Sequence, residues 1–227
     1  MSKVKVSDDL TKILKNFSTI NKSIVIEPGN VVSTLSVNKN ILAKATVTEE
    51  FSKQVAIYDL GVFLGGVSRF DAPVFDLQSD SFVTVQNEKG RSKSRYYYAD
   101  PEIIVKPPSK DIRLPSVDVE FDLPQEDLQK LLSASSVYQV PDLCVYAEDE
   151  KIQVSVRDKK NDTSNSFNVT VGETVEEFCY CFKVENLRMI PGNYRVEISK
   201  SNIALFTNRD YDVKYWIALE PDSTFGS

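Results

Sequence analysis

Apolar residues recur along the chain at two spacings, one typical of strands and one of helices, and this pattern occurs twice. Residues 4–14 read V-K-V-S-D-D-L-T-K-I-L, and residues 122–132 read D-L-P-Q-E-D-L-Q-K-L-L. Each run predicts a short strand followed by an amphipathic helix. One constant offset aligns Asp9 with Asp127 and Lys12 with Lys130. The sequence therefore predicts a tandem repeat of one domain.

The residues after each predicted helix repeat in the same order. Both read as strand, tight turn and strand, with the turns at Pro28-Gly29-Asn30 and Glu148-Asp149-Glu150. A second, short helix is predicted after Asp59, and one or two helical turns are predicted over residues 184–189. Each half therefore reads as strand, helix and strands, and then as the same series again.

This pattern predicts the α+β fold class, with mainly antiparallel sheet. The predicted domains are residues 1–100 and 117–227, joined by a linker over residues 101–116. The linker contains four prolines, which exclude a continuous helix. It also contains the apolar patch Ile103-Ile104-Val105. Two interpretations of this patch are open: it packs over the domain junction, or it forms the rim of a site for a partner peptide.

Composition narrows the possible chemistry. The chain of 227 residues has no histidine, three cysteines and a formal net charge of −6. The absence of histidine removes His-based acid–base catalysis and most transition-metal sites. No Gly-rich phosphate loop occurs either, so we predict no cofactor and no enzymatic activity. Cys179 and Cys181 lie on one face of a predicted strand, where we expect small core residues rather than a metal or redox pair.

The apolar pattern and the cysteines also bear on location. No uninterrupted apolar run approaches the roughly 18 residues that span a bilayer, so no membrane contact is expected. The N-terminal residues M-S-K-V-K-V lack the apolar core of a signal peptide. Three cysteines fit a reducing compartment. We therefore expect a cytosolic protein.

The predicted helices carry lysines on their polar sides. Lys12 and Lys15 lie away from the apolar stripe of the first helix, and Lys130 occupies the repeat-equivalent place in the second. A solvated helix face explains such lysines equally simply, but their recurrence at equivalent positions favours a functional interpretation. Because the chain as a whole is acidic, tight binding of nucleic acid is not expected.

Four runs carry a resemblance to a known family: I-L-K-N-F-S-T-I-N (residues 13–21), V-A-I-Y-D-L-G-V-F-L-G (55–65), P-G-N-Y-R (191–195) and Y-W-I-A-L-E-P-D-S-T (215–224). With them the chain resembles the sliding clamps of T-even-type bacteriophages, which are DNA polymerase processivity factors. The resemblance implies two similar clamp domains per chain and a homotrimeric ring of six domains, with helices lining the inside and sheets outside. It also implies the cytoplasm of the infected bacterial host.

The partners that the resemblance implies are double-stranded DNA held by encirclement, the replicative DNA polymerase and a clamp-loader ATPase. By this resemblance, the candidates for the DNA-facing lining are Lys12, Lys15, Lys130 and Arg188. The candidates for the partner-peptide pocket come from the linker and the C-terminal run: Ile103, Ile104, Val105, Ala218, Leu219 and Pro221. The alternative is a non-catalytic, structural, β-rich two-domain phage protein. A carboxylate-based hydrolase has no support in the residues.

Overall fold

The computed structural model describes residues 2–88, 91–108 and 112–226. The backbone clusters into two compact units, Met1–Lys110 and Asp111–Ser227. Both contain α-helix and antiparallel strands, which confirms the predicted α+β class. Of the predicted linker, residues Ser109, Lys110 and Asp111 lie outside the described residues. The exact limits of the two domains stay predictions.

The N-terminal unit repeats one series of elements, as its apolar pattern predicts. Its elements are β1 (Lys3–Lys5), α1 (Asp8–Ile20), β2 (Ile24–Ile26), β3 (Gly29–Leu35), β4 (Ile41–Phe51), β5 (Val55–Ile57), α2 (Leu60–Val67), β6 (Pro73–Asp76), β7 (Phe82–Asn87), β8 (Lys93–Tyr97) and a 3₁₀ turn (Pro101–Ile103). One sheet has the strand order β1-β6-β7-β8. In addition, β2 pairs with β5 and β3 pairs with β4.

Helix α1 begins where the sequence supplies a cap. The Ser7 hydroxyl accepts a hydrogen bond from the backbone N–H of Leu10 at 3.0 Å. The backbone N–H of Ser7 donates to the buried Glu49 carboxylate on β4 at 2.7 Å. These two bonds satisfy groups that a helix start would otherwise leave without partners. The predicted apolar stripe of α1 is buried, with Leu10, Leu14 and Phe17 fully enclosed.

The C-terminal unit follows the same order with one helix fewer among its described residues. Its elements are β9 (Val119–Leu123), α3 (Gln125–Tyr138), β10 (Asp142–Glu148), β11 (Lys151–Arg157), β12 (Phe167–Glu173), β13 (Phe178–Lys183), a 3₁₀ turn (Val184–Asn186), β14 (Tyr194–Ser199), β15 (Ile203–Asn208), β16 (Val213–Ala218) and β17 (Thr224–Phe225). One sheet has the order β12-β11-β10-β13-β17, and the other strands follow the order β16-β15-β14-β9. No α-helix in the described ranges is long and apolar enough to cross a membrane.

Of the one or two helical turns expected over residues 184–189, the structure forms one, at the N-terminal end of that range. Only Val184–Asn186 forms a 3₁₀ turn. This short segment is held in place by three buried side chains, those of Asn186, Leu187 and Ile190, and Pro191 follows it. Packing therefore prevails over the local preference for helix.

The predicted turn at residues 148–150 is present and joins β10 to β11. Asp149 and Glu150 adopt positive φ angles of 52° and 60°. Two consecutive residues with positive φ form the tight hairpin turn that matches the twist of antiparallel strands. The register that follows pairs Cys144 with Ser155 on one side.

The cysteines differ from the expectation in one respect. Cys179 and Cys181 do share a face of β13, with sulfur atoms 4.0 Å apart. However, Cys181 also lies directly opposite Cys144 on β10, and a disulfide joins these two residues. The expectation that Cys181 is a simple apolar core residue is therefore wrong. The pairing depends on strand register, which cysteine spacing does not reveal.

Candidate nucleic-acid interface and partner-binding segments

Helix α1 presents lysines to solvent, and its carboxylates are confined to its first turn. Lys12 and Lys15 are exposed, and Asp8 and Asp9 occupy the first turn. Lys12 Nζ lies 3.4 Å from the Asp9 carboxylate. Acidic residues at this end of a helix complement its dipole. The rest of the exposed side of α1 therefore carries only positive and neutral side chains.

Helix α3 repeats this arrangement at the equivalent positions. Lys130 Nζ lies 2.6 Å from the Glu126 carboxylate and 3.9 Å from that of Asp127. The hydrogen bond between Lys130 and Glu126, together with their opposite charges, raises the pKa of Lys130 and lowers the pKa of Glu126. Both groups therefore stay charged at neutral pH, and the local field of Lys130 is partly neutralised.

Arg188 lies in a different setting from the three lysines. It is exposed, but it follows the 3₁₀ turn instead of standing on a helix, and its Nε donates to the carbonyl of Glu185 at 2.8 Å. The expectation that a helix carries Arg188 is therefore wrong. Its assignment to the DNA-facing surface stays a prediction, as do those of Lys12, Lys15 and Lys130.

Lys22 is a further exposed cation, which the sequence interpretation missed. It lies just beyond α1, with Nζ 3.0 Å from the Asp59 carboxylate and 5.8 Å from the centre of the Tyr58 ring. The contact with Asp59 raises the pKa of Lys22. Helix α1 ends at Ile20 and Asn21 is extended, so helical spacing does not place Lys22, and its approach to Asp59 depends on contacts between residues far apart in the chain.

The three linker candidates for the partner pocket are placed unequally within the N-terminal unit. The Ile103 side chain is 65% exposed at the end of the 3₁₀ turn, whereas Ile104 is buried against Val25 and Ala56. Val105 is half-buried. Ile103 therefore offers its side chain to solvent, while Ile104 fixes this part of the predicted linker to the core of its own unit.

The three C-terminal candidates lie at and just after the end of β16. Ala218 is half-buried, Leu219 is buried and Pro221 is exposed. Leu219 N–H donates to the carbonyl of Asn202 at 3.0 Å. These residues and those of the linker belong to different compact units, so a pocket that they share stays a prediction.

Backbone bonds and ion pairs hold the C-terminal segment to its sheet. The N–H of Glu220 donates to the carbonyl of Cys181 at 2.8 Å, and the N–H of Cys181 donates to the Ser223 hydroxyl at 3.1 Å. Lys159 Nζ lies 2.5 Å from the carboxylate of Asp222 and 3.6 Å from that of Glu220. The segment that holds Leu219 and Pro221 is therefore anchored at both the backbone and the side chains.

Each unit also has a sheet edge. In the N-terminal unit β8 is an edge strand and carries the exposed Lys93, Arg95 and Tyr97. In the C-terminal unit β12 is an edge strand. Beside it, α3 and Phe167 line a groove of about 480 Å³ that includes the exposed Val137 and Tyr138. Unpaired strand edges are ready to pair with another chain.

Comparison with solved structures identifies the class of fold. Proliferating cellular nuclear antigen from Entamoeba histolytica superposes with a TM-score of 0.73 at 11% identity, over 96% of this chain and 98% of that one. The structure of A. fulgidus PCNA with the C-terminal region of FEN-1 bound gives a TM-score of 0.71 at 12% identity, over 99% of this chain and 100% of that one. The chain therefore has the two-domain fold of the PCNA-like sliding clamps.

Sequence comparison narrows the class to a family. Residues 7–106 match the family described as DNA polymerase processivity factor, and residues 120–221 match the C-terminal part of the gp45 sliding clamp. The sliding clamp of Vibrio phage KVP40 is 33% identical over 96% of this chain and 99% of its own length. That of Enterobacteria phage T4 is 32% identical over 97% and 99%. The chain belongs to the phage sliding clamp family of DNA polymerase processivity factors, which confirms the resemblance.

Proposed function

We propose that three copies of this chain close into a ring around duplex DNA and tether a replicative DNA polymerase there. One observation carries the proposal: the chain contains two units whose helices and strands follow the same order. The chain also matches phage sliding clamps over nearly its whole length. Two clamp units per chain complete a six-domain ring when three chains join head to tail. The ring would act by topology, without catalysis or a cofactor, in the cytoplasm of the infected bacterial host.

The edge strands supply complementary surfaces for this head-to-tail contact. Strand β8 carries Lys93 and Arg95, whereas exposed carboxylates surround one end of β12, namely Glu148, Asp149, Glu150 and Glu173. Opposite charges steer association and fix register between partners. The apolar groove beside β12 would receive aromatic side chains from β8 of the next copy, which supports pairing of these two edges.

The lysine arrangement suits a protein that must hold DNA without stopping on it. Lys12 and Lys130 contact carboxylates of their own helices, so each would meet a phosphate with part of its charge already neutralised. Each phosphate contact that displaces counterions strengthens binding, and many such contacts would oppose movement. A few weakened cations in an acidic chain of net charge −6 would centre the duplex and let it slide.

Partner proteins would dock through short peptides at the linker and the C-terminal segment. The residues proposed for this pocket are Ile103, Ile104, Val105, Ala218, Leu219 and Pro221. Burying two or three apolar side chains of a peptide contributes a few kcal/mol, at about 25 cal/mol per Å². Such modest affinity would let a polymerase and a clamp-loader ATPase exchange at one surface.

The first test of the ring is the mass of the protein in solution. Light scattering over a dilution series should find a species near 76.8 kDa, three times the chain mass of 25.6 kDa, which dissociates only on dilution. Because the proposed contact joins opposite charges, raising the salt concentration should shift dissociation to higher protein concentration. A protein that stays at the mass of one chain at micromolar concentration would contradict the trimer.

A second experiment tests the lining separately. The triple variant Lys12→Glu, Lys15→Glu and Lys130→Glu should reduce polymerase processivity on primed circular DNA, because reversed charges repel the duplex. Since Lys130 also lines the groove beside β12, the double variant Lys12→Glu and Lys15→Glu, which should keep the trimer mass, is measured beside it. A control reverses Lys3 and Lys214, which are exposed on strands β1 and β16. Unchanged processivity in the triple variant, with loading intact, would show that these lysines do not face DNA.

A further inference from the structure

Three sulfur atoms lie on one face of the sheet in the C-terminal unit. Cys144 on β10 and Cys181 on β13 are directly opposite each other, and Cys179 lies opposite Tyr146 in the next row of that face. The Cys179 sulfur is 4.0 Å from the Cys181 sulfur. Cys181 is therefore bonded to one cysteine and adjacent to the other, so thiol–disulfide exchange among the three involves only neighbouring sulfurs.

The three sulfurs differ in access to solvent. The side chain of Cys144 is fully enclosed and that of Cys181 is 5% exposed, whereas Cys179 is half-buried and its thiol is free. A small oxidant would therefore meet Cys179 first, because access is a main determinant of thiol oxidation. The buried pair can react only after Cys179 has been modified or after the sheet has opened.

Arg157 assists the outermost sulfur. Its Nη2 lies 3.7 Å from the Cys179 sulfur, and its guanidinium carbon lies 4.8 Å from the centre of the Tyr146 ring. Arg157 itself stands opposite Asp142, so its side chain crosses the row that holds Cys144 and Cys181. The guanidinium thus shields the buried pair and can stabilise negative charge on Cys179 when that sulfur leaves in an exchange step.

The proposed function places the protein in the cytoplasm, and in that compartment the Cys144–Cys181 disulfide calls for a redox explanation. Cytosolic thiols are kept reduced, and disulfides there are usually transient and linked to redox sensing. We propose that Cys179, Cys181 and Cys144 form a thiol relay that responds to hydrogen peroxide, in which Cys179 is oxidised first and the final bond joins Cys144 to Cys181.

The steps of the relay balance with peroxide as the only oxidant. The Cys179 thiolate attacks H₂O₂ to give a sulfenic acid and hydroxide. The Cys181 thiol then condenses with this sulfenic acid, which forms a Cys179–Cys181 bond and releases water. Finally Cys144 attacks the Cys181 sulfur, Cys179 leaves and takes up the proton, and the disulfide reaches its buried position. In total, two thiols and one peroxide give one disulfide and two waters.

The relay is connected to the C-terminal segment through Cys181. Both backbone groups of Cys181 bond this segment, the N–H to Ser223 and the carbonyl to Glu220, and Cys179 pairs with Thr224 on β17. A covalent link between β10 and β13 would restrict the strand on which the segment is held. Oxidation would therefore slow local opening of the residues proposed to bind partner peptides.

The test compares the reduced wild-type protein with Cys179→Ser and Cys179→Ala during treatment with peroxide. Peptide mapping should find the Cys144–Cys181 bond in the wild type, and its formation should slow about tenfold or more in both variants, because buried thiols react poorly alone. Circular dichroism confirms that each variant is folded. Formation at the wild-type rate in both folded variants, or a final bond that includes Cys179, would overturn the relay.

Two further readouts separate the steps. In Cys144→Ser, dimedone should label Cys179, or a Cys179–Cys181 bond should accumulate, since the last exchange is blocked. Labelling confined to Cys181 would contradict the proposed order. Hydrogen exchange at the amides of Cys181 and Glu220 should be slower in the oxidised than in the reduced wild type, and peroxide should slow it less in Cys144→Ser, which cannot link β10 to β13. Equal exchange in the two wild-type forms would refute the link to the C-terminal segment.

Discussion

The hydroxyl of Tyr98 is buried and has no hydrogen-bond partner among the described residues. Burial, with smaller effects from Asp80 and Asp76, raises the pKa of Tyr98 from its ordinary 10.0 to about 12. Between these two values the unfolded chain has lost a proton that the folded chain keeps. Stability therefore falls as the pH rises through this window.

This residue supports a prediction for alkaline solution. Tyr98→Phe should change the free energy of unfolding at pH 7 by less than about 1 kcal/mol, because no hydrogen bond is lost. Between pH 10 and pH 12, the melting temperature of this variant should fall less than that of the wild type. Thermal melts at several pH values measure both effects. The control is Tyr97→Phe, whose side chain is 66% exposed, and an equal gain from this variant would disprove the role of burial.

At the scale of elements, helix α2 depends on its cap more than the other helices do. It has eight residues, and Gly61, Gly65 and Gly66 each cost roughly 1 kcal/mol relative to alanine. The Asp59 carboxylate accepts a hydrogen bond from the N–H of Val62 at 2.9 Å. This bond, followed by the contact with Lys22, lowers the pKa of Asp59.

The cap can be tested by two substitutions at one position. Asp59→Ala should lower the free energy of unfolding by about 1 kcal/mol, whereas Asp59→Asn, which keeps the capping oxygen, should lower it much less. Urea unfolding at neutral pH gives both values. Because the folded pKa is depressed, the contribution of Asp59 is present above its ordinary pKa of 3.8 and is lost as the pH falls below it. Equal losses in both variants would argue against capping.

The helices and turns of this fold were predictable from the sequence where their signals are local. Helices α1 and α3, the hairpin at Asp149 and the short helix α2 were predictable, because apolar spacing, caps and turn residues are local signals. Sequence could not decide between one and two helical turns after β13, because residues 184–189 contain helix formers, while burial of Asn186 and Leu187 depends on distant strands. The Cys144–Cys181 pair was missed for the same reason, since register between β10 and β13 is a long-range property.

The candidate site residues also divide into those with a local signal in the sequence and those whose setting depends on distant contacts. Sequence placed Lys12, Lys15 and Lys130 on exposed helix faces, because the apolar stripe identifies the opposite face. It could not show that Ile104 packs into a core with Val25 and Ala56, since those contacts join residues far apart in the chain. Lys22 was missed because it lies after the last helical residue.

For the whole molecule, the proposed trimer depends most on the edge of β8. The Tyr97 ring is 66% exposed, and it packs edge-on against Phe82, with ring centres 5.5 Å apart. The guanidinium group of Arg95 lies over the Phe82 ring, with its central carbon 5.0 Å from the ring centre. Exposed aromatic and arginine side chains are frequent anchors of protein interfaces.

Tyr97→Glu should therefore weaken the proposed trimer by about tenfold or more, since it removes an aromatic anchor and places a carboxylate near the acidic end of β12. Light scattering against protein concentration measures the change, and circular dichroism should show that the chain stays folded. The control is Tyr58→Glu, because Tyr58 is 59% exposed but lies outside the edge strands. Matching dissociation curves for the two variants would rule out β8 as the contact.

The described part of the chain holds two α-helices in its first unit and one in its second. In the proposed ring, a duplex would therefore meet two kinds of wall in alternation, one with α1 and α2 and one with α3 alone. The energy of rotating the duplex about its axis would then repeat three times in a full turn instead of six. DNA would have fewer preferred angles, and a polymerase bound to one subunit would receive its template in a more defined rotational phase.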